Sequence, residues 1–268
     1  MALLQTEIDR KNSEFWSELC GSTAAQRLKI TDSSIESIKK FDDWFFSFYP
    51  YLKKNYLNIE KIQQKTILEI GLGYGTVSQF LAKNSNVFFG ADIAEGPVNF
   101  VNHRLKLIGK LPSARVMSAH KLEFEDNLFD HIVSIGCFHH TGNIKKCIDE
   151  AYRVLKPGGE LLFMCYSKYS LREFLLRPIK TLFSFTKESR LIQENDWFSY
   201  DHNTQGQAAP FTEVFGKKGL ARLCKKFSSY TICTENSIGI RTWLWPRKLL
   251  INNLGKVMGT DLYVKCIK

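Results

Sequence analysis

No Cys-x-x-Cys pair occurs anywhere in the 268 residues, and the seven cysteines, at 20, 137, 147, 165, 224, 233 and 266, are odd in number and scattered. That pattern supports neither a zinc site nor a disulfide framework, so the thiols read as reduced. No apolar run approaches the ~20 residues of a membrane span. The first ten residues, Met1 to Arg10, also lack the basic-then-apolar order of a secretory signal. A cytoplasmic protein without a transmembrane segment is the expectation. No separate RNA-binding module is visible, and the basic residues do not gather into one stripe, which sets nucleic acid behind small acceptors as a partner.

What the chain has in surplus is positive charge. Lys and Arg number 37 against 27 Asp and Glu, giving +10 and a pI near 9.2. Such a surface attracts anions, among them nucleotide-linked sugars, phosphorylated glycans, acidic membranes or RNA, without choosing among them. Lys225 and Lys226 follow Leu220, Leu223 and Cys224 at helical spacing and read as a solvated helix face. A length of 268 residues with 44% hydrophobic content suits one α/β domain with decorations.

The most informative stretch is Thr66-Ile-Leu-Glu-Ile-Gly-Leu-Gly-Tyr-Gly75. Its apolar, partly β-branched run reads as a strand buried on both faces, broken abruptly by Gly71, Gly73 and Gly75. Glycines there permit positive φ and close approach of a ligand, and a helix starting near Thr76 aims its free N–H groups at the same place. The third glycine comes one residue early for a dinucleotide-binding turn. Glu69, two residues before Gly71, would repel a pyrophosphate but suits a cationic ligand. A second strand ends at Asp92, and 92 − 71 = 21 residues is the spacing that brings an acid onto a ribose diol. Both features suit S-adenosylmethionine.

Around this turn the pattern predicts strand 66–70, helix 76–83, strand 86–91, helix 97–108, strands 114–118 and 130–135, and helix 144–155. A stop at Lys156-Pro-Gly-Gly159 then leads into strand 160–166. Residues 1–65 read as a helical N-terminal cap carrying an aromatic cluster, Phe41, Trp44, Phe45, Phe46, Phe48, Tyr49 and Tyr51. Such rings must be buried, against the sheet or over a cleft. Phe15, Trp16, Cys20 and Gly21 either lie against a cofactor or simply pack. Residues 66–268 form the main domain, with 167–215 as an insertion over the strand ends. Its polar stretch Tyr200–Gln207 is expected to meet substrate. A helix at 216–226 and strands near 229–234 and 261–267 complete the sheet. The segment Arg241–Lys248 is basic and aromatic, read either as a packed connection or as a membrane-interface contact.

The order of motifs resembles the class I S-adenosylmethionine-dependent methyltransferases, in their small-molecule, methyltransferase type 11-like branch. The resemblance is dense over residues 66–166. It rests on Glu69 to Gly75, Asp92, Ser118 to Phe124, Phe129 to Val133, His139-His140 and Glu150 to Gly159. It implies an α/β, Rossmann-like seven-stranded sheet with the last strand antiparallel, and S-adenosyl-L-methionine as cofactor. Carried over residue by residue, it implies Glu69, Gly71, Gly73 and Gly75 around the methionine portion and Asp92 with Ile93 at the ribose. Ser118, Ala119 and His120 would then lie at the adenine, with Ser118 where many relatives carry an aspartate. Gly136 would lie beside the reacting centre.

Methyl displacement at a sulfonium needs alignment and dryness and no metal. A hydroxyl acceptor also needs a base. Two rival pairs are available: His139 and His140, at the carboxyl edge of the sheet, and Asp201 with His202 in the insertion. His103 and His131 are assigned no role. The leading reading is O-methylation of a sugar, glycan precursor or secondary metabolite. A tRNA or RNA methyltransferase and a non-catalytic scaffold are the alternatives, and a homodimer stays open.

Overall fold

Strand β1, Thr66–Ile70, sits in the middle of the molecule, paired in parallel with β2, Val87–Asp92, on one side and β4, Phe129–Ile135, on the other. Ile67 and Leu68 have no solvent exposure and point into two different cores, one on each face of the sheet. A strand needs that continuous apolarity when helices cover both faces. In this computed structural model, residues 4–182, 187–192, 199–236, 251 and 253–268 are described. The segment Arg241–Lys248 lies outside them.

The remaining strands are β3, Ala114–Val116, β5, Leu155–Tyr166, β6, Ser189–Ile192, β7, Thr212–Phe215, β8, Ser229–Glu235, and β9, Asp261–Ile267. Seven of them form one sheet in the order β3-β2-β1-β4-β5-β9-β8, with β9 antiparallel to both its neighbours. The α/β fold with a reversed closing strand is therefore the architecture found. Strand order reverses between β1 and β4, and ligands of open α/β sheets bind at such a switch point beyond the carboxyl ends of the strands.

Helices α5, Thr76–Asn84, and α6, Glu95–Leu107, cover one face. Helix α7, Ile144–Val154, and α10, Lys217–Leu223, cover the other. Ahead of β1 come α1, Gln5–Trp16, α2, Ser22–Arg27, α3, Ile35–Phe48, a single π turn at Leu52–Tyr56, and α4, Ile59–Ile62. The Ser34 hydroxyl caps α3 by accepting from the Ser37 N–H. A short helix α11, Leu254–Met258, precedes β9.

One local expectation needs correction. Lys156-Pro-Gly-Gly159 does not separate helix from strand, because α7 stops at Val154 and β5 begins at once. The sheet absorbs the proline and glycines as a register shift between Phe129 and His131 on β4, with Gly158 at φ +76° and nothing within 4 Å of where its Cβ would stand. Residues 167–215 carry secondary structure of their own. They hold helices α8, Leu171–Leu176, and α9, Pro178–Leu182, and the antiparallel pair β6–β7.

Candidate cofactor and acceptor site

All three glycines after β1 adopt left-handed backbone, φ +83° at Gly71, +51° at Gly73 and +75° at Gly75. At Gly71 a Cβ would lie 2.4 Å from that of Cys137, so the turn after β1 and the turn after β4 touch through the missing side chain. Gly75 answers a different need. A Cβ there would meet Arg104 and Val101 of α6 at 2.8 and 2.9 Å, so the early third glycine lets α6 close against the start of α5. Arg104 is wholly buried there. It donates to both Asp42 oxygens, at 2.6 and 2.7 Å, and to the Tyr74 carbonyl at 2.8 Å, clamping α3 to the glycine turn.

Above these turns lies a cavity of about 240 Å³. Glu69 and Asp92 are its buried acids. One Glu69 oxygen, Oε2, has no hydrogen-bond partner, and burial pushes the carboxyl up to about 8. Asp92 accepts from the Leu72 N–H at 2.7 Å and the Ala94 N–H at 3.0 Å, tying the glycine turn to the tip of β2. Burial still pushes it up to about 6. Each of its oxygens keeps a second lone pair. Ile93, Ser118, Ala119 and His120 line the same end. The Ser118 hydroxyl accepts from the His120 N–H at 3.2 Å, and burial lowers the His120 imidazole below its usual range. Gly136, φ +80°, borders open space, since a Cβ there would meet only Met164, at 3.7 Å. A buried carboxylate oxygen without a partner beside a glycine cradle fits the cationic amino-acid end of S-adenosylmethionine. Asp92 fits a diol.

At the far end the structure recombines the two rival pairs, taking one member from each. His140 Nδ1 lies 2.7 Å from the Phe211 carbonyl, and its Nε2 lies 3.4 Å from Asp201 Oδ2. Both residues line the cavity, whereas His139 and His202 do not. His139 sits one position along a 3-10 turn and is directed into the core against Tyr166, with ring centroids 4.4 Å apart and neither ring nitrogen hydrogen-bonded. Burial keeps its imidazole well below the usual range. His202 is exposed. It follows Asp201 in extended backbone, where adjacent side chains point oppositely, and its own carbonyl accepts from Thr23 at 3.3 Å.

Several site residues escaped sequence reasoning. The Tyr166 hydroxyl, at the end of β5, donates to both Asp201 oxygens, at 3.0 and 3.1 Å. Its place at the carboxyl end of a central strand is a signal that would have found it. Asn12 donates to the His140 carbonyl at 2.7 Å, and Asp42 anchors Arg104. These contacts join residues 128 and 62 apart in sequence, and no local pattern carries them. The turn at 203–207 is latched to the turn that follows α1 through Thr204, whose N–H and hydroxyl donate to Glu18 at 2.8 and 2.9 Å.

Residues 68–163 match the family model described as "Methyltransferase domain". Among curated proteins, a tRNA N(3)-methylcytidine methyltransferase of Drosophila melanogaster is 26% identical over 149 residues, covering 52% of this chain and 46% of that protein. A ubiquinone/menaquinone biosynthesis C-methyltransferase of Rickettsia typhi is 30% identical over 128 residues, covering 45% of this chain and 51% of its own. The chain thus spans about half the length of these curated relatives. A solved SAM-dependent methyltransferase from Methanosarcina mazei shares the fold with a TM-score of 0.52 at 19% identity, covering 78% of this chain and 95% of that one. Residues 68–163 thus match a methyltransferase domain, the seven-stranded sheet shares the fold of a solved SAM-dependent methyltransferase, and together they imply S-adenosylmethionine as the cofactor.

Proposed function

We propose that the protein is an O-methyltransferase that acts on a hydroxyl of a small molecule, with His140 as the general base and Asp201 as its charge partner. The single observation that carries this reading is the His140 ring, fixed at Nδ1 and open at Nε2. Nδ1 donates its proton to the Phe211 carbonyl 2.7 Å away, which fixes the ring with Nε2 directed at Asp201 and the cavity. Nε2 and the Asp201 carboxylate stand 3.4 Å apart, and an acceptor hydroxyl placed at this pair gives its proton to Nε2. Asp201 then stabilises the imidazolium, and the Tyr166 hydroxyl holds Asp201 in place.

S-adenosylmethionine supplies, when bound, a methyl group activated by its sulfonium, the bond's electron pair staying on sulfur as the methyl leaves. Glu69, the glycine turn and Asp92 are the groups that hold it. The chain's own contribution to the reaction is alignment, exclusion of water and removal of the acceptor proton, the last worth about 100- to 10,000-fold.

The test is transfer of labelled methyl by pure protein to a panel of oxygen, nitrogen and carbon acceptors, with His140→Ala and Asp201→Asn alongside. Expected is labelled oxygen product, with turnover slowed about 100-fold or more in each variant and affinity for S-adenosylhomocysteine unchanged. Transfer confined to nitrogen or carbon would reject the assignment. A second reading, RNA methylation, is favoured by the +10 charge and the tRNA-modifying relative. It predicts RNA binding that weakens steeply with salt, and affinity independent of salt would dismiss it.

A further inference from the structure

The two ends of the cavity differ in chemistry. Glycine backbone and buried acids line the end over β1 and β2. The end over β5 and β9 is built from rings. Helix α3 places Phe41, Phe45 and Tyr49 at four-residue spacing along one face, a roof running from the glycine turn toward β9. Phe41 stacks on Tyr74 of that turn at 3.8 Å, Phe45 meets Tyr49 at 5.0 Å, and Tyr49 meets Tyr51 at 6.2 Å. Tyr51 in turn meets Tyr263 of β9 at 5.6 Å. Opposite this roof stand Tyr166, backed by Tyr200 at 4.1 Å in a parallel stack, and Met164, with Trp16 tilted over His140 at 4.9 Å.

The polar lining gathers on the side of α1 and the β4 turn, where Asn12 and Thr141 accompany the pair His140–Asp201, and the roof itself is built of rings. Tyr166 spends its hydroxyl on Asp201. A pyranose buried here would set hydroxyls around its whole rim against the faces of the roof rings, and a buried hydroxyl without a partner is costly. A flat ring carrying one or two hydroxyls has the opposite balance. Its faces and edges meet rings at stacking and edge-to-face distances, and its hydroxyl reaches the basic pair.

From this we infer that the acceptor is a planar aromatic alcohol, a phenol, catechol or hydroquinone, rather than a saturated sugar. The inference rests on the proposed O-methyl transfer at His140. The phenolic O–H bond breaks with its proton going to Nε2, the oxygen–methyl bond forms, and the electrons of the old methyl bond remain on sulfur. Phe45 and Tyr49 are the specificity-determining residues, touching the acceptor ring.

The test uses the full chain loaded with S-adenosylhomocysteine, titrated calorimetrically with catechol and with methyl glucoside, and then turned over on both with labelled S-adenosylmethionine. Catechol is expected to bind at least tenfold more tightly and to be the one methylated. Phe45→Ala is expected to weaken catechol at least fivefold, and Phe45→Leu by less, with affinity for S-adenosylhomocysteine unchanged in both. Equal or reversed order of the two probes, with S-adenosylhomocysteine bound normally, overturns the aromatic assignment and leaves the methyltransferase reading standing. Failure of S-adenosylhomocysteine to bind at all overturns the cofactor site and this inference with it. Catechol bound tightly but methylated at the same rate in His140→Ala keeps the aromatic chamber and removes the base.

Discussion

Glu69 is the residue at which stability and binding are expected to oppose each other. Its folded pKa of about 8 lies above the ordinary value of 4.5, because burial disfavours the charged form. The folded chain therefore holds a proton that the unfolded chain has already lost, and stability falls as pH rises through that window. Between pH 6.5 and 8 the loss is about 1.5 kcal/mol from this one group. Other buried groups act more weakly over that interval and are common to wild type and variant. Asp92, at about 6, is already about three-quarters ionised at pH 6.5, and the imidazoles His120, His131 and His139, all lowered by burial, offset part of the loss because their unfolded forms shed their remaining protons. Binding of a cationic ligand follows the ionised fraction, which climbs from about 3% to about half over the same interval, a roughly fifteenfold gain in affinity. Glu69→Gln keeps the shape and removes the titration. The cofactor-free variant is expected to lose the downward slope of stability in urea unfolding at pH 6.5 and 8, and to be the more stable protein at pH 8. It is also expected to bind S-adenosylhomocysteine more weakly and without the rise across that range in calorimetry. A variant that kept both wild-type slopes would refute the assignment of the orphaned carboxylate to the ligand's cationic group.

Other perturbations separate the parts of the site. Gly71→Ala places a Cβ 2.4 Å from that of Cys137 in left-handed backbone, and unfolding should show a loss of about 3 kcal/mol or more. Gly109→Ala has the same handedness, φ +70°, with nothing within 4 Å, and should cost about 1 to 2 kcal/mol. Asp42→Ala strands the buried Arg104 guanidinium and should destabilise by about 3 kcal/mol in denaturant, at the low end for a broken buried pair because Asp42 is 18% exposed. Tyr166→Phe removes a hydrogen bond to a carboxylate, worth about 1.5 to 3 kcal/mol, and should slow turnover by about 10- to 100-fold without changing the affinity for S-adenosylhomocysteine.

The legible part of this fold was the part written locally. A strand that is apolar on both faces, a glycine turn and an acid 21 residues on, 92 − 71, lie close enough in sequence to be read together, and they define the sheet order around β1. Boundaries slipped where the sheet absorbed irregularity, as at Pro157 and Gly158, which lie in the register shift between the Leu155 and Glu160 pairings with β4, the Gly158 N–H donating to the Lys268 carbonyl. The acceptor end was the least legible. His139 and His140 are neighbours, as are Asp201 and His202, so sequence groups them as pairs. The His139 and His140 rings stay 4.1 Å apart but only His140 lines the cavity, extended backbone turns His202 away from Asp201, and only tertiary packing of the insertion against the β4 turn joins His140 to Asp201.

That division has a functional consequence. The cofactor end is made from turns that belong to the sheet and cannot change without disturbing it, since Gly71 touches Cys137 and Asp92 holds the Leu72 N–H. The acceptor end is contributed by α1, α3 and the residue-200 segment, tied down by a few side-chain latches such as Glu18–Thr204 and Asn12–His140. Substitutions among those rings alter what is bound over β5 without touching the glycine turn. Affinity for S-adenosylhomocysteine and selectivity among acceptors should therefore vary independently across a set of variants at Phe45, Tyr49 and Trp16. A tight correlation between the two would mean that the cavity behaves as one unit, and would remove the physical ground for reading the aromatic roof as the determinant of the acceptor.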